Sequence, residues 1–376
     1  MSAAPAPDST GFLHRFMRGG DGPTVVIKDS IDVAGYPTGL GARALADAEI
    51  ARADAACVVA LAKSGFSLVG KSVLHEMALG ATGINDWQGT PFNARYPDYV
   101  PGGSSSGSAT LVGAGLVDIG VGTDTGGSVR VPAACCGVVG LKTTIGLVDH
   151  AGVYPAGSSL DCVGFFARDP LLIDQCVVAC APEAPSPRPA IRSIGVLSLP
   201  GDGDAKAALA KFGDATGGAI IAVELPEIEA AFDAGFTILA AEAWAGAGHL
   251  TGRGLLSPDL ESRIGVAAAI TSEQLTAAEL IREHFRDAVD TLLTKVDVIA
   301  LPTLAEPPPT LKQGALATSG VALTRYVRPF NLSGHPAIAI PLNRADNVPS
   351  SLQLVGRYGD DRTLCSLAKS IMDCLA

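Results

Sequence analysis

The chain has 376 residues, 48% of them hydrophobic and only 17% charged, a balance that builds a large buried core and excludes a disordered polypeptide. Its 27 basic and 38 acidic residues leave a net charge of −11, scattered without long runs, which excludes the basic stripe of a nucleic-acid-binding surface. No stretch of 18 uninterrupted apolar residues occurs, so no membrane span is expected.

The opening MSAAPAPDSTGFLHRF lacks the basic start and apolar core of a secretory signal. TVVIK at 24–28 reads as a short buried strand, and DSIDVAGYPTG after it as a loop. Residues 53–64 have helical periodicity and stop at Gly65; FSLVG (66–70) is the next expected strand and SVLHEMAL (72–79) a short helix. The Gly-, Asn-, Asp- and Pro-rich segment 80–103 is a long irregular stretch, a kind of segment that is usually functional in a compact domain. VVGLK (138–142) is a further strand, and this alternation implies an α/β sheet with helices on both faces. The Pro-rich APEAPSPRPA (181–190) is expected to be a strap joining two halves of one sheet. Beyond it come a strand at SIGVLSL, mostly Ala-rich helix over 204–295, and a strand in VDVIALPT (296–303). AIAIPL and SLQLVG form a closing strand pair, followed by a helix over 361–374.

Eight cysteines, at 57, 135, 136, 162, 176, 180, 365 and 374, include no CxxC pair and no His–Cys cluster at zinc spacing. They read as packed, reduced thiols, which fits a cytoplasmic protein. GFSLVGKS at 65–72 matches the phosphate-loop pattern literally. A helix precedes it, however, and Phe66 and Val69 belong to a strand, so a phosphate-wrapping loop is not expected there.

The chemistry concentrates in GGSSSGSA (102–109) and GTDTGGSVR (122–130), where Ser104 and Ser128 each follow a Gly-Gly pair. Glycine turns expose N–H groups that can hold an oxyanion, and a hydroxyl beside them can attack a carbonyl once a base takes its proton. None of the six histidines stands out: His75 falls in a helical pattern and His335 precedes a proline. Lys28 ends the apolar strand TVVI, where burial would lower its pKa and make a neutral amine available as the base. Asp29 should not interfere, because successive strand residues point to opposite faces. Ser105 and Ser106 are expected to bond within their loop, Asp124 and Arg130 to pin the second turn, and Cys135 and Cys136 to pack.

Together, VVIKDSIDVAGYPTG, VPGGSSSGSA, GTDTGGSVRVPAACCGVVGLK and the closing NLSGHPAIAIPL…LQLVGR resemble the amidase signature family. The likeness covers most of 24–170 and 326–375. It implies one amidase domain over 1–376 with a mixed central β-sheet covered by helices on both faces and a variable, mainly helical middle at about 190–320. It also implies a Ser–cis-Ser–Lys triad. By motif, Ser128 is the nucleophile, Ser104 the bridging serine on a cis peptide after Gly103, and Lys28 the base. The N–H groups of Thr125, Gly126 and Gly127, with that of Ser128, would form the oxyanion hole. Met77 and Ala78, in HEMALG, would border the substrate channel. The resemblance implies no metal or organic cofactor, and a monomer or homodimer acting on a small-molecule amide.

The LHEMALGATGINDWQGTPFN segment and the VPGGSSSGSA form are most similar to bacterial and plant hydrolases of arylacetamides, which points to a small aryl- or alkyl-carboxamide. The alternatives are a urea- or carbamate-type amidohydrolase of the same family, or an amidotransferase subunit that acts on charged tRNA within a complex. The acidic charge weighs against the last.

Overall fold

The computed structural model describes residues 10–315 and 319–376. The first nine residues of the N-terminal reading, and 316–318 of the helical middle, lie outside them. Eleven strands form one sheet. In chain order they are β1 (Phe12–Gly19), β2 (Thr24–Lys28), β3 (Ser67–Ser72), β4 (Ile119–Asp124), β5 (Val139–Lys142) and β6 (Cys162–Ala167). There follow β7 (Ser193–Leu197), β8 (Ala219–Val223), β9 (Val298–Pro302), β10 (Ala337–Leu342) and β11 (Ser350–Val355). Across the sheet the order is β1-β3-β2-β4-β6-β5-β10-β11-β9-β7-β8. Parallel pairs (β3-β2-β4 and β9-β7-β8) flank an antiparallel centre, so the sheet is mixed.

The parallel strand β2 reads as a near-continuous apolar run because helices cover both its faces. On β2, Val25 and Ile27 pack with α1 (Ala56–Lys63) and α4 (Pro170–Cys180) on one side. Val26 packs on the other side with α2 (Ser106–Gly113) and α3 (Arg130–Cys136). Alternation therefore sends Lys28 with Val26 toward α2, and Asp29 with Ile27 the other way.

The middle of the chain supplies α5 (Gly203–Thr216), α6 (Ile228–Ala247), α7 (Pro258–Ala267) and α8 (Ser272–Lys295). Thr271 and Gln274 cap α8 reciprocally, satisfying two N-terminal donors. The Ala-rich helical stretch is broken by β8, an exposed edge strand. Three short helices, α9 (Leu311–Gly314), α10 (Ser319–Ala322) and α11 (Arg328–Leu332), precede β10, and α12 (Asp361–Leu375) closes the chain. The Pro-rich strap is clamped by Arg188, whose guanidinium reaches Asp297 at 3.0 Å and Asp360 at 2.8 Å.

The expected helix at 72–79 is absent. Strand β3 runs to Ser72, and only a single 3-10 turn forms at Glu76–Ala78. Tertiary partners claim the backbone groups a helix would pair with each other: the Val73 carbonyl accepts from Gly107 N–H, and Met77 N–H donates to Leu40 O. Strand pairing similarly disposes of the phosphate-loop match, since most of it is β3, and Lys71 forms an ion pair with Asp29 at 2.8 Å.

Candidate active site

Lys28 sits at the end of β2 with no solvent exposure. Its Nζ lies 2.8 Å from Ser104 Oγ and 2.8 Å from Thr123 Oγ1. Burial pushes the amine down to about 7 from its ordinary 10.5, against the opposing pull of the Asp161 and Asp124 carboxylates. Near neutral pH the amine is therefore free to carry a lone pair beside the Ser104 hydroxyl.

The Gly103–Ser104 peptide is cis. Gly103 N–H donates to Ala81 O at 2.7 Å and the Ser104 carbonyl accepts from His75 N–H at 3.0 Å, which fixes the turn before α2. The two serine clusters meet through the backbone, where Ser105 N–H donates to the Ser128 carbonyl at 3.2 Å. The 24 residues between Ser104 and Ser128 are α2 and β4, a helix going out and a strand coming back. Ser128 is half-buried and lines a cavity of about 120 Å³ with Thr125 and Gly126.

The turn at 125–128 hangs on one carboxylate. Asp124 accepts from the N–H groups of Gly127 (2.8 Å) and Val129 (3.0 Å), from Arg130 (2.9 Å) and from Asn331 Nδ2 (2.9 Å). Arg130 in turn reaches Asn331 Oδ1, Gln353 Oε1 and the Val327 carbonyl. Burial alone would raise the Asp124 carboxyl, but the Arg130 guanidinium and the Asn331 amide hold it well below the carboxylate range. This network also engages one of the N–H groups expected at the oxyanion turn. The Gly127 N–H already belongs to Asp124, whereas no described residue accepts from the N–H groups of Thr125, Gly126 or Ser128.

Comparison with known proteins supplies a family for the chain. The Amidase family model matches residues 21–181 and 206–365. The chain is 32% identical to Amidase 1 of Oryza sativa subsp. japonica over 94% of its own length and 91% of the rice protein. The chain belongs to the amidase family. It is also 31% identical to a fatty acid amide hydrolase of Medicago truncatula, covering 93% of this chain but only 64% of that longer protein. A solved amidase structure superposes with a TM-score of 0.83 at 28% identity, covering 94% of this chain and 85% of the other. Hydrolysis of an amide bond is the activity this membership assigns.

Around Lys28, Ser104 and Ser128, the other predicted residues fall into place unevenly. Ala78 borders the Ser128 cavity, whereas Met77 lines only a neighbouring cavity of about 260 Å³ that shares Ala78 and Thr125. Both adopt positive φ, 54° and 57°. A further cavity, about 520 Å³, runs past Glu76, Trp87 and Arg263 without Ser128 in its wall. Ser105 Oγ donates to the Thr123 carbonyl at 3.3 Å, while Ser106 Oγ has no partner among the described residues. Cys135 and Cys136 are buried thiols whose pKa burial pushes up, so they are inert packing. His75 is pushed down to about 3 by burial, and His335 is held by Ser333 and Asp290.

Four contributors escaped the sequence reading: Thr123, Asp161, Asn331 and Gln353. Asp161 is buried, its Oδ1 accepts from Thr125 Oγ1 at 2.8 Å, and burial raises its pKa to about 7. A carboxylate opening the otherwise apolar run DCVGFFA was the available signal. Asn331 and Gln353 left no comparable trace, because they reach Arg130 from more than 200 residues away. Among the described residues, no group of His, Cys, Asp and Glu is arranged to hold a metal ion.

Proposed function

We propose that this amidase cleaves the C–N bond of a small aryl or alkyl carboxamide through an acyl-enzyme on Ser128, with Ser104 and Lys28 as the proton relay. The observation that carries this reading is the 2.8 Å approach of a fully buried lysine to Ser104, whose own turn is bonded to the Ser128 backbone. Neutral Lys28 takes the Ser104 proton as Ser104 takes that of Ser128. The Ser128 oxygen attacks the amide carbon, and the oxyanion rests on the N–H groups of Thr125, Gly126 and Ser128. Removing one such donor typically costs on the order of 10²–10³ in rate. The relay then returns its proton to the departing nitrogen, and the C–N bond breaks. Water, deprotonated by the same relay, attacks the ester and releases the acid.

The name of the Medicago relative points to fatty acyl amides. A cavity of about 120 Å³ beside Ser128, walled by Leu239, Leu260 and Ile264, favours a short acyl group instead. A cytoplasmic monomer or homodimer is part of the same proposal. All eight cysteines are free, and no helix among the described residues is long and apolar enough to cross a membrane.

Ammonia release by the purified chain over a panel of aryl, alkyl, urea-type and carbamate substrates tests the substrate class. Ser128→Ala is expected to abolish both turnover and fluorophosphonate labelling. Full activity in that variant would remove Ser128 from the mechanism.

A further inference from the structure

Arg328 opens α11 at the wall of the Ser128 cavity and is only 6% exposed. Its Nη2 donates to Thr324 Oγ1 at 2.7 Å. Its Nε and Nη1 are buried and have no acceptor among the described residues. Among the described residues no carboxylate forms an ion pair with it, and Asp233 acts on it only at longer range. The guanidinium instead lies over the rings of Phe232 (4.4 Å) and Phe236 (5.3 Å). Burial lowers its pKa to about 10, so it stays cationic at neutral pH. The other arginine at this cavity, Arg263, is neutralised by Asp259 at 2.6 Å, and the deep Arg130 has an acceptor for every nitrogen.

A buried cation with unused donors is costly, and aromatic faces offset only part of that cost. The position of this one is specific. A Cβ built on Gly126 would stand 3.5 Å from Arg328 Nε, so the free donor lies beside the turn expected to hold the oxyanion. Most of the remaining wall is apolar and offers no competing charge, with Ala78, Leu239, Leu260 and Ile264 among its residues.

We infer that Arg328 binds a carboxylate carried by the substrate close to the scissile carbonyl, and that short half-amides of dicarboxylic acids are the preferred substrate class. The inference rests on the Ser128 reading above: a primary amide has no substituent on nitrogen, so the carboxylate belongs to the acyl chain. The anion would fill the Nε and Nη1 donors while its methylenes pack against the apolar wall.

The test compares kcat/KM for succinamate and for butyramide, which differ by a carboxylate in place of a methyl group. A hydrogen-bonded charge pair corresponds to a preference of roughly 10- to 100-fold for succinamate in the wild type. Arg328→Met should bring the succinamate-to-butyramide ratio toward one, and Arg328→Lys should retain part of it. Wild-type enzyme that cleaves butyramide with no preference for succinamate overturns the inference and leaves the Ser128 reading intact; this holds even if the variants fail to fold. If neither amide is cleaved, titration calorimetry of Ser128→Ala with succinamate separates the two ideas. Binding that Arg328→Met removes would support the carboxylate site while the hydrolytic reading fails. No binding would overturn the site.

Discussion

Lys71 Nζ lies 2.8 Å from Asp29 Oδ1, with both side chains buried, so the carboxylate next to Lys28 in sequence is spent on a different lysine. The register explains it: Lys71 on β3 stands beside Ile27, on the face that Asp29 shares. Lys28 is left with hydroxyl partners, and burial lowers its amine to about 7 against the opposing influence of the more distant Asp161 and Asp124. Asp29→Ala would strand the Lys71 charge with only the Pro37 carbonyl and the Thr38 hydroxyl. Breaking a buried pair in this way costs about 3–5 kcal/mol. Urea unfolding should show that loss, and the double replacement Asp29→Leu with Lys71→Met should recover most of it. A single variant as stable as wild type would show that the pair holds nothing together.

The pH profile follows from the sign of the Lys28 shift. A base acts only when unprotonated, and burial brings this amine from 10.5 to about 7. The kcat/KM of the free enzyme should therefore climb as pH rises through 7 and level off above it. Asp161 carries negative charge that raises the Lys28 pKa, so Asp161→Asn should move the rising limb to lower pH. A wild-type limb above pH 9 would mean that Lys28 behaves as an ordinary lysine. Lys28→Ala should lose on the order of 10²–10⁴ in rate, with the residue of activity growing at high pH.

The two glycines before Ser128 should differ sharply when replaced. Gly127 has φ +116°, and a Cβ there would lie 2.3 Å from Val327 Cγ2, so Gly127→Ala meets both strain and a clash. A penalty of about 2 kcal/mol or more is expected, along with a deformed turn and a large loss of kcat. Gly126 has no such backbone constraint, and its Cβ would meet the Leu239 Cδ1 methyl at 3.2 Å, a flexible end that can give way. Gly126→Ala should cost less than about 1.5 kcal/mol and act mainly on KM. Melting temperatures and steady-state kinetics of the two variants decide it; equal behaviour would contradict the geometry.

Asp124 should prove indispensable without touching substrate. Asp124→Asn leaves the Arg130 guanidinium buried without its counter-charge, at about 3–5 kcal/mol. Because the folded pKa is depressed, the wild-type contribution is complete above the ordinary value of 3.8 and fades only as pH falls below it. Unfolding at pH 7 should therefore show the full difference between wild type and variant, and unfolding near pH 3 a smaller one. An equal gap at both values would mean that the carboxylate charge is not what holds the turn.

Strands β2, β3, β5, β7, β9, β10 and β11 could be read from the chain because each is a short apolar run bounded by turn residues. β1 could not, since FLHRFMRG is an edge strand with a half-polar, alternately exposed pattern. β6, CVGFFA, has the right composition but no periodicity to separate it from a buried helical turn, although it supplies the sheet's link between β4 and β5.

Residue types and local spacing carried the chemistry of the site. A lysine ending an apolar strand and two serines after glycine pairs are local features, and local features survive in a one-dimensional record. Their environment was decided by tertiary structure alone. Which carboxylate pairs with Lys71, which N–H group Asp124 withdraws from the turn, and which arginine is left unpaired at the cavity all depend on strand register and on contacts across more than 200 residues. Hydrogen bonds and buried charges are satisfied in space, and proximity along the chain does not determine who satisfies them.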